Sequence, residues 1–158
     1  YDKFYPVLQK DMLFCIYSIA EVSMMWYVGF LAVLKNKQHP ELVLNITEKI
    51  NFCDNFSTSK NGDIVFLQAC VYNKATSKVN CPILIINVAR RKFSYYKTEN
   101  YNPCYKVVEL SDWFFGIEAD ELQRNADARL NTLANQIIDL RCLEWYDLNK
   151  INTLTERL

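Results

Sequence analysis

The residues whose types and spacing could do chemistry lie between positions 90 and 97, where Arg90, Arg91, Lys92 and Lys97 are interleaved with Phe93, Tyr95 and Tyr96. Cations at this spacing can neutralise phosphates, and the rings can stack on bases, so the stretch is a candidate contact for single-stranded nucleic acid. The same pattern describes a half-buried strand edge, with its basic groups solvated and its rings turned inward. Both readings stand on sequence alone. Trp26, Tyr27, Phe30 and Tyr72 lie in apolar runs and are expected in the core. The single histidine, His39, sits in a turn between Gln38 and Pro40, with no cysteine or serine placed beside it to serve as a nucleophile. Carboxylates are scattered, and the nearest group, Glu118, Asp120 and Glu121, falls where the start of a helix favours acids. With no hydrolase, kinase or dinucleotide motif, the chain reads as a non-enzyme without a cofactor.

The 6 cysteines, at 15, 53, 70, 81, 104 and 142, are even in number, as in a secreted scaffold, but none are closer than eleven residues. No CxxC or Cys-His spacing marks a zinc site, and no metal ligand set is expected. Two sequons, Asn45-Ile-Thr47 and Asn55-Phe-Ser57, keep an extracellular reading open beside the intracellular one with reduced thiols. Opening on Tyr1 and not Met is expected of a fragment or a processed form.

At 158 residues, 51% of them hydrophobic, the chain is long enough for one domain, 1–158, with its own core. Eighteen basic and eighteen acidic residues leave no net charge, so contact with nucleic acid or an anionic membrane requires a local patch. The 3 glycines, Gly29, Gly62 and Gly116, are too dispersed to form a phosphate-cradling loop.

The elements that must position these groups are mostly strands. Met12 to Leu34 carries Glu21 as its only charge and is long enough for a membrane span. Its aromatic and β-branched content instead predicts a short element to Ala20, then a long buried strand from Ser23 with Gly29 at a bend or bulge. Lys35 to Pro40 is a turn, and Leu42, Leu44 and Ile46 alternate along the next strand, predicting a hairpin. Glu48–Cys53 alternates again, Asp54–Gly62 is a loop turning at Asn61-Gly62, and Asp63–Tyr72 is a buried strand. Pro82–Val88 has the clearest β character, and Tyr105–Leu110 is a last strand. Five or six strands over residues 12–115 predict a mainly β fold, a small closed oligonucleotide-binding (OB) barrel.

From Ile117 the apolar rhythm changes to a helical period. Ala126, Leu130, Leu133, Ile137 and Leu140 make a seam flanked by Arg124, Asp127, Arg129 and Asp139, predicting an amphipathic helix over 117–143 that either plugs the open end of the barrel or, on the favoured reading, offers the seam to a partner helix. A second short helix is expected over 147–158, with Asp147 as its cap.

The order of these elements resembles a known family. Phe4-Tyr5-Pro6, the strand Trp26-Tyr27-Val28-Gly29-Phe30-Leu31-Ala32-Val33-Leu34, a polar turn, a hairpin and a barrel-closing helix look like the Stn subunit of the CST telomere complex. That subunit is itself similar to the middle subunit of replication protein A, and the small Ten subunit shares the architecture. The resemblance implies a nuclear, non-enzymatic assembly subunit at the telomere. It would join other OB-fold subunits in a heterotrimer through its C-terminal helix, reach single-stranded DNA through the complex, and make little DNA contact of its own. The alternative is a secreted or viral β-domain that binds a host protein.

Overall fold

The computed structural model describes residues 7–9, 12–23, 26–35, 39–45, 50–97, 105–119 and 136–158. Strands β1 (Val7–Gln9), β2 (Met12–Ser23), β3 (Trp26–Lys35), β4 (His39–Asn45) and β5 (Ile50–Thr58) are followed by β6 (Ile64–Asn73), β7 (Lys78–Asn80), β8 (Ile83–Asn87) and β9 (Lys92–Tyr96). Strands β10 (Tyr105–Glu109), β11 (Phe114–Ala119), β12 (Ile137–Asp139) and β13 (Tyr146–Asp147) come next. The mainly β expectation holds. The architecture, however, is two antiparallel sheets, and no closed barrel is found among the described residues. One sheet runs β1-β2-β3-β5-β6-β8-β9-β13, with β4 added to β3 and β7 to β6, and the other is β10-β11-β12.

The apolar run from Met12 folds back on itself. Partners from Met12 opposite Lys35 to Ser23 opposite Trp26 make it a hairpin of two strands; Ser23 closes the first strand instead of opening the second. The register shift falls between Ser18 and Ala20, across from Gly29 and Val28, so the extra residue is on β2 and not at Gly29. Among the described residues no helix is long and apolar enough to cross a membrane. The predicted hairpin is present as β3 and β4, although His39 and Pro40, expected in the turn, already belong to β4.

β6 and β8 form the centre because their sequences suit burial on both faces. Ile64-Val65-Phe66-Leu67 and Ile83-Leu84-Ile85-Ile86 are continuous apolar runs, as expected where a sheet is covered on both sides. Val65, Leu67, Ala69 and Val71 of β6 share one face with Leu84, Ile86 and Phe93. A C-terminal cover packs on that face: a 3-10 segment, Leu148–Thr153, runs into a short helix, α1 (Leu154–Arg157), and buries Leu148, Ile151 and Leu154. On the opposite face, Ile64, Phe66, Ile83 and Ile85 meet Val107, Phe115, Ile117 and Ile138 of the second sheet. Phe66 and Phe115 join the layers, their ring centroids 4.7 Å apart and tilted by 45°.

The helix predicted over 117–143 is overturned at both of its ends. Ile117 to Ala119 close β11, Ile137–Asp139 is β12, and Leu140–Cys142 is a 3-10 turn capped by the Asp139 carboxylate, which accepts from Arg141 N–H. Phe115 lies opposite Ile138 and Gly116 opposite Ile137, so a pairing across more than twenty positions of sequence replaces the local helical bond pattern there. Residues 120–135 of that prediction lie outside the described residues. The predicted loop 54–62 is also shortened, since β5 continues to Thr58.

Candidate functional site

Turn chemistry builds the site. Between β5 and β6, Ser59 Oγ donates to Asn61 Oδ1 at 2.7 Å and accepts from Ile64 N–H at 3.0 Å, while Asn61 Oδ1 accepts from Asp63 N–H. Gly62 takes φ 77°, the left-handed conformation that the Asn61-Gly62 pair predicts. Between β8 and β9, Asn87 Oδ1 accepts from Arg90 N–H at 3.0 Å, and Arg91 closes the turn at φ 53°. Val88 N–H donates to Asp63 O at 2.8 Å and holds the two turns side by side. The turn between β10 and β11 faces them. There Leu110 and Ser111 N–H both donate to Phe114 O, Trp113 O accepts from Leu140 N–H, and Glu109 Oε2 accepts from Lys60 N–H.

These turns enclose an open cleft of about 440 Å³ between the layers. Two indoles line it. Trp113, 51% exposed, stands at the mouth, and Trp145 is half-buried with its Nε1–H donated to Leu140 O. Arg90 and Lys92 bring positive charge, against which stand Asp63, Glu109 and Asp112. Lys92 Nζ is in addition ion-paired with Asp147, whose carboxyl is held below its usual range by that ammonium group. The cleft therefore offers a flat aromatic surface and two cations without a net positive field. With three carboxylates against those two cations, it is a poor seat for a long polyanion. Among the described residues no cluster of His, Cys, Asp or Glu could hold a metal ion.

The predicted nucleic-acid stretch is divided by its strand. Arg90 and Lys92 line the cleft, and Arg91 and Lys97 are exposed. Phe93 is 0% exposed, packed with Ile86 and stacked 5.5 Å from Tyr146, so it has no face to offer a base. Strand alternation explains this correction, because Phe93 points to the C-terminal cover while its neighbours point away. Tyr95 and Tyr96 are half-buried and engaged, Tyr95 OH with Arg157 O at 3.5 Å and Tyr96 OH with Gln136 Oε1 at 2.7 Å. Nor is β9 a bare edge, since β13 pairs with it at Phe93 and Lys92. The rings that line the cleft are instead Trp113 and Trp145. The available signal for the first was a tryptophan in a polar Ser111-Asp112 turn, with no apolar alternation to bury it.

Of the predicted partner seam, Ala126, Leu130 and Leu133 lie outside the described residues. Leu140 is buried against the chain's own second sheet, a correction that follows from its place in the 3-10 turn after β12. Ile137 is 55% exposed. It alternates with buried Ile138 and so lies on the outer face of the second sheet, where Leu110 covers Gly116 and Arg141 sits 5.0 Å over the ring of Phe114.

The chain matches no protein-family model, no curated protein and no solved structure. What points to a function is the chemistry of the cleft.

Proposed function

We propose that the protein is a non-enzymatic, OB-type assembly subunit of a single-stranded DNA-binding complex of the replication protein A or CST kind, acting at chromosome ends in the nucleus, and that its own weak DNA contact is the cleft between the two sheets. The observation that carries this reading is an exposed indole, Trp113, beside Arg90 and Lys92. One base stacks on Trp113 and adjoining phosphates meet the two cations. Asp63, Glu109 and Asp112 oppose a longer polyanion, which fits a subunit that leaves most of the affinity to its partners. Ile137, with Leu110 and Phe114 around it, belongs to the surface that meets an OB-fold partner in this reading.

Tryptophan fluorescence titrated with oligothymidylate tests the proposal. Binding quenches emission, and Trp113→Ala weakens it by on the order of tenfold, the scale of one lost base stack. Two neutralised phosphates give a salt slope of about −1.4 for a single strand. Unchanged affinity in Trp113→Ala, or no quenching at low salt, overturns it.

A further inference from the structure

β7 and β8 are one strand in register, interrupted at Cys81 and Pro82. Every pair formed with β6, from Asn73 opposite Lys78 to Ile64 opposite Asn87, keeps the same offset. Within that register Cys70 falls directly opposite Cys81, between Val71 opposite Asn80 and Gln68 opposite Ile83. The ladder also fixes what kind of pair this is. Ala69 N–H donates to Pro82 O at 3.0 Å, and Val88 N–H donates to Asp63 O. Pairs at odd-numbered β6 positions are therefore the hydrogen-bonded ones, and Cys70 with Cys81 is a non-hydrogen-bonded pair. At such a pair the Cα atoms approach to about 4.5 Å and the side chains stand closest, inside the Cα separation that a disulfide spans. Pro82, having no N–H, leaves the ladder one hydrogen bond short beside the pair, which is where β7 gives way to β8.

We propose that Cys70 and Cys81 are a modification site, a cross-strand thiol pair that closes to a disulfide when the chain meets a low-molecular-weight disulfide oxidant such as oxidised glutathione. The roles of the two thiols differ. Cys81 is buried, and Cys70 is half-exposed. The hydrogen bond between the two thiols pulls Cys70 below its ordinary range and, with burial, pushes Cys81 well above its own. Cys70 is thus the thiolate that solvent reaches first. It attacks one sulfur of the oxidant, forming a mixed disulfide and releasing one thiolate. Cys81 then gives up its proton and attacks the Cys70 sulfur, releasing the second thiol. Two protein thiols and one small disulfide become one protein disulfide and two small thiols, so electrons and protons balance. The second step is intramolecular and needs no solvent access to Cys81. The site stands about 20 Å along β6 from the cleft, by strand rise, and does not depend on what the cleft binds.

The test equilibrates the intact chain in glutathione buffers from reducing to oxidising, quenches with N-ethylmaleimide, digests with trypsin and weighs the peptides. Residues 61–74 and 79–90 hold one cysteine each. The expected result is a linked product of those two peptides, two hydrogens lighter than their sum, that becomes the main form of both as the buffer turns oxidising. In Cys81→Ser the expected product is a glutathione adduct that stays on Cys70. Recovery of both peptides singly alkylated from the most oxidising buffer, or Cys70 linked to a different cysteine, overturns the proposal.

Discussion

The two faces of the central sheet are covered by different means. On one, Leu148, Ile151 and Leu154 of a single C-terminal segment press on Val65, Leu67, Ile86 and Phe93, and the contact is aliphatic and aromatic throughout. On the other, a second sheet supplies Phe115, Ile117 and Ile138, but Gln68 and Ser94 are buried on that side as well, and the Cys70–Cys81 pair and the cleft both open from it. Burying apolar side chains alone stabilises without demanding partners. Burying an amide stabilises only when its hydrogen bonds are made. The contrast teaches that the C-terminal cover works mainly for stability, while the face toward the second sheet gives up stability to the amide, hydroxyl and thiol groups buried on it.

The largest expected effect tests the first half of that contrast. Leu154→Ala removes a fully buried side chain and should lower unfolding free energy by about 2–5 kcal/mol in urea denaturation, with oligothymidylate binding by the folded protein unchanged. A loss below about 1 kcal/mol would mean that the cover is dispensable and the two faces are not distinct in kind.

The second half is sharpened by Gln68→Met. Neither Nε2 nor Oε1 of the buried Gln68 has a hydrogen-bond partner among the described residues. A methionine of similar volume should therefore raise stability, by about 1–3 kcal/mol, the cost of an unsatisfied buried amide. A fall in melting temperature would show that the amide is satisfied after all and that the second face is as well sealed as the first.

The smallest effect lies at the edge of the second sheet and reads as pH dependence. The Arg141 guanidinium beside Asp139 holds its carboxyl at about 2, against an ordinary 3.8. A carboxyl depressed in the folded state contributes stability that is present above the ordinary value and is lost as pH falls through the folded one. Melting temperature should accordingly decline between about pH 4 and 2 slightly more steeply in the native chain than in Asp139→Asn, and identical curves would show that the contact is fully screened by solvent.

How much of this was legible in the sequence follows from where each pairing partner lies. Ile64–Leu67 and Ile83–Ile86 announce strands because two-sided burial writes an uninterrupted apolar run, and Asn61-Gly62 announces its turn through local backbone preference alone. Phe115 and Ile138 carry no such local mark. Each is apolar because of the other, across a gap that no window of a dozen residues contains, and the intervening residues have a three-four rhythm that conceals both strands. The site was half legible for a related reason. Arg90 and Lys92 could be named from composition, yet which ring would face outward depended on the parity of β9 against β8, and parity placed Phe93 inside. Trp113 came to the cleft through the β10–β11 turn, which the sequence marked only as a cap.

The unbroken offset between β6 and the β7–β8 strand has a kinetic consequence. Its turn, Lys74 to Ser77, is fastened by Asn73 Oδ1 accepting from the N–H groups of Ala75 and Thr76, so the hairpin closes across four residues. Closing so short a loop forfeits little chain entropy, whereas Phe115 must find Ile138 across a far longer one. Both covers and both flanking strands, β5 and β9, use this hairpin as their template. By loop length it belongs with the early, local pairings, whereas the pairing of β11 with β12 is a slower, long-range closure.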